Sequence, residues 1–364
     1  MTKSRQKSCT RAHKLTVCIS PWTQTMLLIA AVTIILAFAF TFTNGFQDAA
    51  TVAATFIASR SATPRQGILM IAGMNFLGAI LGGSAVAFTL SGLLTITSGP
   101  LALQVLLAAL LSATVWNLGA WYFSLPSSST HALIGGLVGA GVTAAGLGSV
   151  YWGAAELLTP PHEITGMVKV MLFLILSIVL GLAGGYAMRR CTHVIFRNAN
   201  RSINRSIIRV NWVAAAGMAF FNGSNDAQKQ LGIIALVLFA AGEFSVLTVP
   251  VWARFICAIL LSLGTLGGGW RIMKTIGNRI FTIGPVHSMD SQISSGMTLG
   301  LSTLSGAPVS STHIITMSVI GVGAAENPRN VRWDVGKDVL LSIILTFPAT
   351  MLLSAGFFTL VQQI

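Results

Sequence analysis

The chain has 364 residues, of which 54% are hydrophobic and only 9% are charged, and its formal net charge is +13. Ordinary soluble domains have about 25% charged residues, so this composition excludes that class and favours an integral membrane protein. The apolar runs are long and continuous, which excludes a membrane β-barrel, whose strands alternate apolar and polar residues over short runs. The sequence therefore predicts an all-α fold.

The first 24 residues form a basic tail that contains Lys3, Arg5, Lys7, Arg11 and Lys14. This tail resembles the start of a secretory signal. However, the apolar stretch behind it is long enough to span a membrane, and many such stretches follow it. We therefore expect a tail at 1–24 and an uncleaved first helix.

Charge-poor windows then follow one another along the chain. The longest lies between Arg65 and Glu156 and has 90 consecutive residues without Asp, Glu, Lys or Arg. Further windows lie at 26–47, 170–188, 210–225, 255–270, 291–325 and 339–364. Because one membrane helix needs about 20 apolar residues, these windows predict a polytopic protein with about 10–12 membrane segments, some of them broken.

Six arginines and no acidic residue lie in the segment 188–209. The positive-inside rule places such a segment in the cytoplasm. Basic residues elsewhere also fall where helices are expected to end, so membrane orientation explains the net charge better than nucleic acid does. We expect no nucleic-acid partner.

Two pairs of motifs divide the sequence into related halves. Residues 42–49 (FTNGFQDA) correspond to 220–227 (FFNGSNDA) at an offset of 178, and 126–131 (PSSSTH) correspond to 308–313 (PVSSTH) at an offset of 182. Two motifs in the same order at nearly one offset predict homologous repeats at 25–187 and 210–364, joined by the linker 188–209. Duplicated halves around a site near the membrane midplane are common in secondary transporters.

The relative direction of the two repeats is left open by the charges. Basic residues in the N-terminal tail and in the linker put both repeat starts on the cytoplasmic side, which describes parallel repeats. Arg60 and Arg65, which follow the first span, favour the opposite placement of the first half.

Asp48 and Asp226 lie in otherwise apolar segments, where a charged side chain costs at least about 2.5–3.5 kcal/mol at the helix centre. Each carboxylate could cap a helix that restarts after a glycine. The repetition of Asn-Gly-x-x-Asp in both halves favours instead a pair of carboxylates that bind a cation or a proton. We expect the motif glycines to let the helix unwind, which would free backbone groups for ions of both signs.

The serine-rich motifs place hydroxyl donors after a proline and before an apolar helix. A helix N-terminus carries partial positive charge and unpaired N–H groups, so it favours phosphate or sulfate. Ordinary helix capping is the alternative, and two copies of the motif favour ligand binding. For His131 and His313 two roles stay open, which are proton transfer and a hydrogen bond to a neighbouring helix. Lys229 could pair with Asp226 or meet the anion.

A membrane-embedded enzyme is the rival function, since Ser, His and Asp are all present. Catalysis normally needs one asymmetric set of residues, whereas this set occurs twice in symmetric positions. The four cysteines are scattered, and the sequence has no acid-rich metal motif or nucleotide loop. We therefore predict no catalytic residue, no resident metal and no cofactor.

These motifs resemble those of the inorganic phosphate transporters of the Pit type. The resemblance covers about 28–360 and includes both Asn-Gly-x-x-Asp motifs, both Ser/Thr-Thr-His motifs, and the segment 269–277 (GWRIMKTIG). It implies a low-affinity secondary symporter for phosphate, built as inverted repeats and driven by sodium or by protons. In the proton-driven case the cargo is often a neutral complex of phosphate with a divalent metal ion.

The resemblance also implies roles for individual residues. Asp48, Asp226, Asn225 and its counterpart Gln47 are expected to hold the coupling cation or proton. Phosphate is expected to contact Ser129, Thr130, Ser311 and Thr312, with Asn44 and Asn222 supporting both ions.

Two departures from the family pattern lie in the first half, where Gln47 replaces the usual Asn and Thr51 replaces an Asn three residues after the Asp. Fewer amide ligands favour protons over sodium. A sulfate permease of the same superfamily is the alternative function. We expect a multi-pass protein of the cytoplasmic (inner) membrane whose partners are phosphate and the lipid bilayer, with a homodimer also allowed.

Overall fold

The computed structural model describes residues 21–123, 127–268 and 281–363. These residues form twelve α-helices: α1 (Pro21–Ala58), α2 (Pro64–Leu81), α3 (Ala85–Ser91), α4 (Gly99–Tyr122), α5 (Ser129–Ala145), α6 (Ala154–Leu158), α7 (Gly166–Ile195), α8 (Asn204–Ala240), α9 (Val251–Gly268), α10 (Pro285–Leu304), α11 (Ser311–Glu326) and α12 (Trp333–Val361). The predicted all-α fold is confirmed. The basic tail up to residue 20, Pro126 and the segment 269–277 lie outside the described residues.

Several of these helices can cross a membrane. Part of α1 (Gln24–Gly45) and the whole of α4, α7 and α12 are long and apolar enough to do so. Helices α2 and α3 together qualify as a further span that is bent by 69° at the break between them. The prediction of a multi-pass protein is therefore confirmed, and one segment in the described part of the chain is broken.

The helices of the second half repeat those of the first half in order. Helices α8, α9, α10, α11 and α12 correspond to α1, α2, α4, α5 and α7. The halves are interleaved, because α2 packs on α8 and α9 packs on α1. In the same way α7 packs on α11, and α12 packs on α5. Neither half therefore forms its core without the other.

The two repeats run in opposite directions. The Asn211 side chain donates to Ser61 Oγ (2.8 Å), and Phe56 packs edge-on against Trp212 with ring centroids 5.1 Å apart. The last turn of α1 therefore lies beside the early turns of α8. The opposite end of α8 does not meet this end of α1, since Gln228 contacts Gly82 at the far end of α2. Helices α1 and α8 are thus antiparallel, and the inverted repeats implied by the resemblance are confirmed.

This inversion settles the conflict between the charges. The turn that carries Arg60 and Arg65 lies at the same end of the molecule as the basic segment between α7 and α8. The parallel arrangement favoured by the N-terminal tail is therefore wrong for the described helices. We call this end, formed by the α1–α2, α7–α8 and α11–α12 connections, the basic end.

Helices α4 and α5 form one helical hairpin, and α10 and α11 form its counterpart. The described ends of the hairpin tips, at 127–128 and 305–310, meet inside the protein, where Thr130 Oγ1 donates to the carbonyl oxygen of Val309 (2.9 Å). Two apolar clusters flank this contact. On α1, Ala37 and Phe40 belong to one cluster, while Val52 and Ala53 belong to the other. The polar residues between them form a layer inside the molecule.

The glycines of the Asn-Gly-x-x-Asp motifs lie at helix crossings. Gly45 of α1 faces Gly264 of α9, and Gly223 of α8 packs against the backbone of Asn75 in α2. A Cβ at either motif glycine would overlap a carbonyl oxygen of the neighbouring helix. Helices α1 and α8 run unbroken through both motifs, so the expected unwinding is wrong. Close approach of two backbones, rather than backbone freedom, explains these glycines.

We expect Gly78→Ala to destabilise the protein, because its Cβ would overlap the carbonyl oxygen of Phe220 where α2 crosses α8. Overpacking of this kind typically costs about 1–3 kcal/mol. Thermal unfolding of the purified protein in detergent measures the loss. Gly73→Ala on the same helix is the control, since nothing lies within 4 Å of its Cβ. Equal melting temperatures for the two variants would contradict the close crossing.

A network of charged side chains ties three helices together at the basic end. Arg189 of α7 lies 2.6 Å from Glu326 at the end of α11 and 3.4 Å from Asp290 of α10. The hydroxyl of Thr192 donates to the other oxygen of Asp290 (2.7 Å). Asp290 is fully buried, whereas Glu326 is 45% exposed.

We expect Arg189→Met to lower the melting temperature strongly, because Asp290 would keep its buried charge without its cation. Removal of one partner from a buried ion pair costs about 3–5 kcal/mol. Arg190→Met is the control, since Arg190 is exposed and its guanidinium contacts Tyr186 instead. If both variants melted alike, the ion pair would contribute little to stability.

Candidate functional site

Predicted ion-binding residues, together with Thr51 and Lys229, share one face of α1 and one face of α8. Their spacing is i, i+3, i+4 and i+7 in both helices, which places side chains on the same side of a helix. The sets are Asn44, Gln47, Asp48 and Thr51 on α1, and Asn222, Asn225, Asp226 and Lys229 on α8. All eight side chains are buried in the layer between the two apolar clusters.

The hairpin tips supply the predicted anion-binding residues. Ser128 and Ser310 cap α5 and α11, since their hydroxyl oxygens accept from the backbone N–H groups of His131 and His313. The capping alternative is therefore correct for these two serines. It leaves Ser129, Thr130, Ser311 and Thr312, in the first turns of the helices, for other contacts.

Asp48 joins the two repeats. Ser129 Oγ donates to Asp48 Oδ2 and Thr312 Oγ1 donates to Asp48 Oδ1, each at 2.6 Å. One donor comes from the α4–α5 hairpin and the other from the α10–α11 hairpin. The structure thus brings a predicted coupling residue into direct contact with two predicted phosphate ligands.

Asp226 has a different partner. Lys229 Nζ lies 2.7 Å from Asp226 Oδ1 and also donates to Thr130 Oγ1 (2.7 Å) and to the carbonyl oxygen of Val309 (2.9 Å). Of the two roles left open for Lys229, pairing with Asp226 is the one that the structure shows. The two related carboxylates are therefore held by different groups, hydroxyls at Asp48 and an ammonium at Asp226.

The amide side chains extend from this centre to the hairpins and to α2. Gln47 Nε2 donates to the carbonyl oxygen of Ser127 (3.2 Å), and Asn225 Nδ2 donates to Thr303 Oγ1 (3.1 Å). Asn222 Nδ2 donates to Asn75 Oδ1 (3.3 Å). Asn75 was missed by the sequence analysis, although it is the single polar residue in the α2 segment 67–81.

Several buried polar atoms of the site have no hydrogen-bond partner within the described ranges. They are the side-chain oxygens of Gln47, Thr51, Asn222, Asn225 and Ser311, Oδ2 of Asp226, and both polar atoms of Asn44. A buried polar group without a partner costs about 1–3 kcal/mol. These atoms could form hydrogen bonds to a polar ligand.

The two histidines lie next to each other, one residue beyond the contacts at Thr130 and Thr312. Their ring centroids are 5.2 Å apart, and His131 Nδ1 lies 2.8 Å from Ser128 Oγ. His131 therefore contacts the N-cap of its own helix and not a neighbouring helix, so neither role considered for it in the sequence is decided by this contact.

Comparisons with known proteins agree with this architecture. The model of the phosphate transporter family matches the chain twice, at residues 44–212 and 195–354. The chain belongs to the phosphate transporter family. The two overlapping matches fit a chain made of two repeats.

Relatives with recorded names cover nearly the whole chain. A "probable low-affinity inorganic phosphate transporter" of Bacillus subtilis is 35% identical over 336 residues, which are 91% of this chain and 96% of the relative. A protein with the same description from Rhizobium meliloti is 36% identical, over 87% of this chain and 91% of the relative. The resemblance seen in the sequence is thereby confirmed, and the family is one of transporters, not of enzymes.

A solved structure shares the fold of this chain. The structure titled "The sodium-dependent phosphate transporter" superposes with a TM-score of 0.75 and 24% sequence identity, covering 93% of this chain and 100% of the other. At this level of identity the likeness concerns the fold.

We expect Ser310→Ala to lower stability by about 1 kcal/mol, the usual cost of losing a helix cap. Ser311→Ala is the matched control, because the Ser311 hydroxyl has no partner among the described residues and its removal should cost nothing in the absence of ligand. Thermal unfolding of both variants in detergent compares them. A larger loss for Ser311→Ala would show that the capping and ligand-binding roles are assigned to the wrong serines.

Proposed function

We propose that this protein is a low-affinity secondary transporter that moves inorganic phosphate together with protons. One observation carries the proposal: Asp48 accepts hydrogen bonds from Ser129 of one repeat and Thr312 of the other. The names of the relatives support phosphate as cargo. Phosphate would contact Ser129, Thr130, Ser311 and Thr312 at the start of α5 and α11, where helix N-termini favour an anion.

Asp48 couples the proton to the cargo through these hydroxyl groups. While Asp48 is ionised, Ser129 and Thr312 donate to it. Hydrogen bonds to an ionised group are roughly twice as strong as those between neutral groups. Protonation of Asp48 weakens its hold on both hydroxyls and lets them donate to phosphate oxygens instead. Proton binding and phosphate binding therefore favour each other.

The charges of the site agree with one proton per phosphate. Asp48 and Asp226 contribute two negative charges and Lys229 one positive charge, which leaves one net negative charge. A proton on Asp48 together with a singly charged phosphate leaves that net charge unchanged. The loaded and unloaded sites then carry equal charge through the low-dielectric interior.

Other couplings are outcomes of the same experiment. Sodium would need the amide oxygens of Asn44, Gln47, Asn222 and Asn225, and a divalent metal ion could enter as a complex with phosphate. A sulfate permease remains the alternative function, because sulfate offers the same oxygen acceptors to the hairpin tips.

The basic end lies in the cytoplasm in this proposal. Each of the three connections that form this end contains arginines, whereas the opposite end contains Glu156, Glu163 and Glu243. With the basic end inside, the positive-inside rule puts the start of α1 on the outer side of the expected cytoplasmic (inner) membrane. The division into 1–24, 25–187, 188–209 and 210–364 belongs to the same proposal.

The lipid bilayer is the expected surrounding of the outermost helices. Large apolar side chains are exposed along α7 and α12, among them Ile175, Val179, Leu341, Ile344 and Leu352. Such side chains fit a surface covered by acyl chains. A homodimer is a further expected partner.

The test is uptake of radiolabelled phosphate into proteoliposomes with an inward pH gradient, an inward sodium gradient or neither. We expect the pH gradient alone to drive accumulation in the natural protein. Asp48→Asn should lose this accumulation but still exchange phosphate at equal concentrations on both sides, because a neutral side chain resembles protonated Asp48.

Asp334→Asn is the control for that variant, since Asp334 lies on α12 and its side chain is 88% exposed. If Asp48→Asn accumulated as much phosphate as Asp334→Asn, the coupling role of Asp48 would be contradicted. If the sodium gradient drove accumulation, sodium would take the place of the proton as the coupling ion. Competition by sulfate and not by arsenate would favour the sulfate permease.

A further inference from the structure

One position that the two repeats share is a lysine in the second half and a threonine in the first half. At the offset of 178, Lys229 corresponds to Thr51, and each lies three residues after its motif aspartate. Thr51 Oγ1 is buried without a partner in the described part of the chain, whereas Lys229 reaches the centre of the site. The two halves therefore differ by one positive charge at equivalent places.

The surroundings of the Lys229 ammonium are those of a bound cation. Three oxygens lie within 2.9 Å of Nζ: one from the carboxylate of Asp226, one from the hydroxyl of Thr130 and one from the carbonyl of Val309. An ammonium has three N–H donors, so all of them are in use. Carboxylate, hydroxyl and carbonyl oxygens are also the ligands that hard metal cations prefer.

Burial makes this cation indispensable to Asp226. Lys229 is 1% exposed and Asp226 is fully buried. A buried charge without a partner is strongly unfavourable, so Asp226 needs a cation at this place whether or not cargo is present. The lysine supplies it from the chain itself.

We propose that Lys229 is a built-in cation, which takes the place that a co-transported sodium ion would otherwise occupy beside Asp226. The inference rests on the proposed transport function and deepens it, because it leaves Asp48 as the single carboxylate that takes up an ion from solution in each cycle. Lys229 thereby determines the choice of coupling ion.

The test measures thermal unfolding of purified Lys229→Asn in sodium chloride and in choline chloride of equal concentration, without phosphate. We expect the variant to melt below the natural protein in choline and to regain at least about 3 °C in sodium, since a ligand that binds only the folded state raises its stability. The natural protein should melt alike in both salts.

Three further variants make the result specific. Lys229→Arg keeps the charge and should gain no sodium response. The double variant Asp226→Asn with Lys229→Asn removes the carboxylate and should gain none either. Lys337→Asn is the surface control, because Lys337 forms the same i, i+3 pair with Asp334 at 3.5 Å in an exposed position.

Transport gives a second readout. In proteoliposomes, an inward sodium gradient should stimulate phosphate uptake by Lys229→Asn about tenfold, which corresponds to a coupling free energy of about 1.4 kcal/mol. The natural protein should show no such stimulation.

Several outcomes would overturn the inference. They are a folded Lys229→Asn that melts alike in both salts, a variant that cannot be folded in either salt, or a sodium response already present in the natural protein. Because the melting experiment contains no phosphate, a failure to transport phosphate would contradict the proposed function without touching the assignment of Lys229.

Discussion

A carboxylate buried between two apolar clusters needs hydrogen-bond donors, and the donors of Asp48 come from opposite halves of the chain. This requirement determines much of the remaining architecture. The α4–α5 and α10–α11 hairpins must bring their tips to the same place, and the contact between Thr130 and Val309 shows that they do. Since α1 carries Asp48, its position is tied to both hairpins.

Much of this candidate site could be predicted from the sequence, because each motif occurs in both halves, whereas one copy would have been weak evidence. A single Asp or a single Ser-Thr-His would have fitted a helix cap, and Ser128 and Ser310 are indeed caps. The repeated motifs identified Asp48, Ser129 and Thr312, which the structure brings together. The pairing of one carboxylate with hydroxyls and the other with Lys229 depends on which helices cross, and a sequence alone does not show that.

Two expectations failed or stayed open for physical reasons. Glycine serves both to unwind a helix and to let two backbones approach, and Gly45 and Gly223 have the second use. The direction of the repeats could not be read from loop charges. The number of positive charges at each end depends on which connections lie at that end, and the sequence does not show this. The contact between Asn211 and Ser61 decides that question, and it joins residues 150 positions apart.

Inverted repeats give the two ends of the molecule related backbones, but the side chains make the ends chemically different. Subtracting the hairpin offset of 182 from Asp290 and Glu326 leads to Ala108 and Ala144, so the network around Arg189 has no ionic counterpart at those positions. Lys229 and Thr51 differ in the same way within the site. If the proposed transporter opens its two ends in turn, different contacts separate at each end, and the two states do not have equal free energy by symmetry alone. This difference resides in a few charged side chains, while the backbones of the two repeats are related.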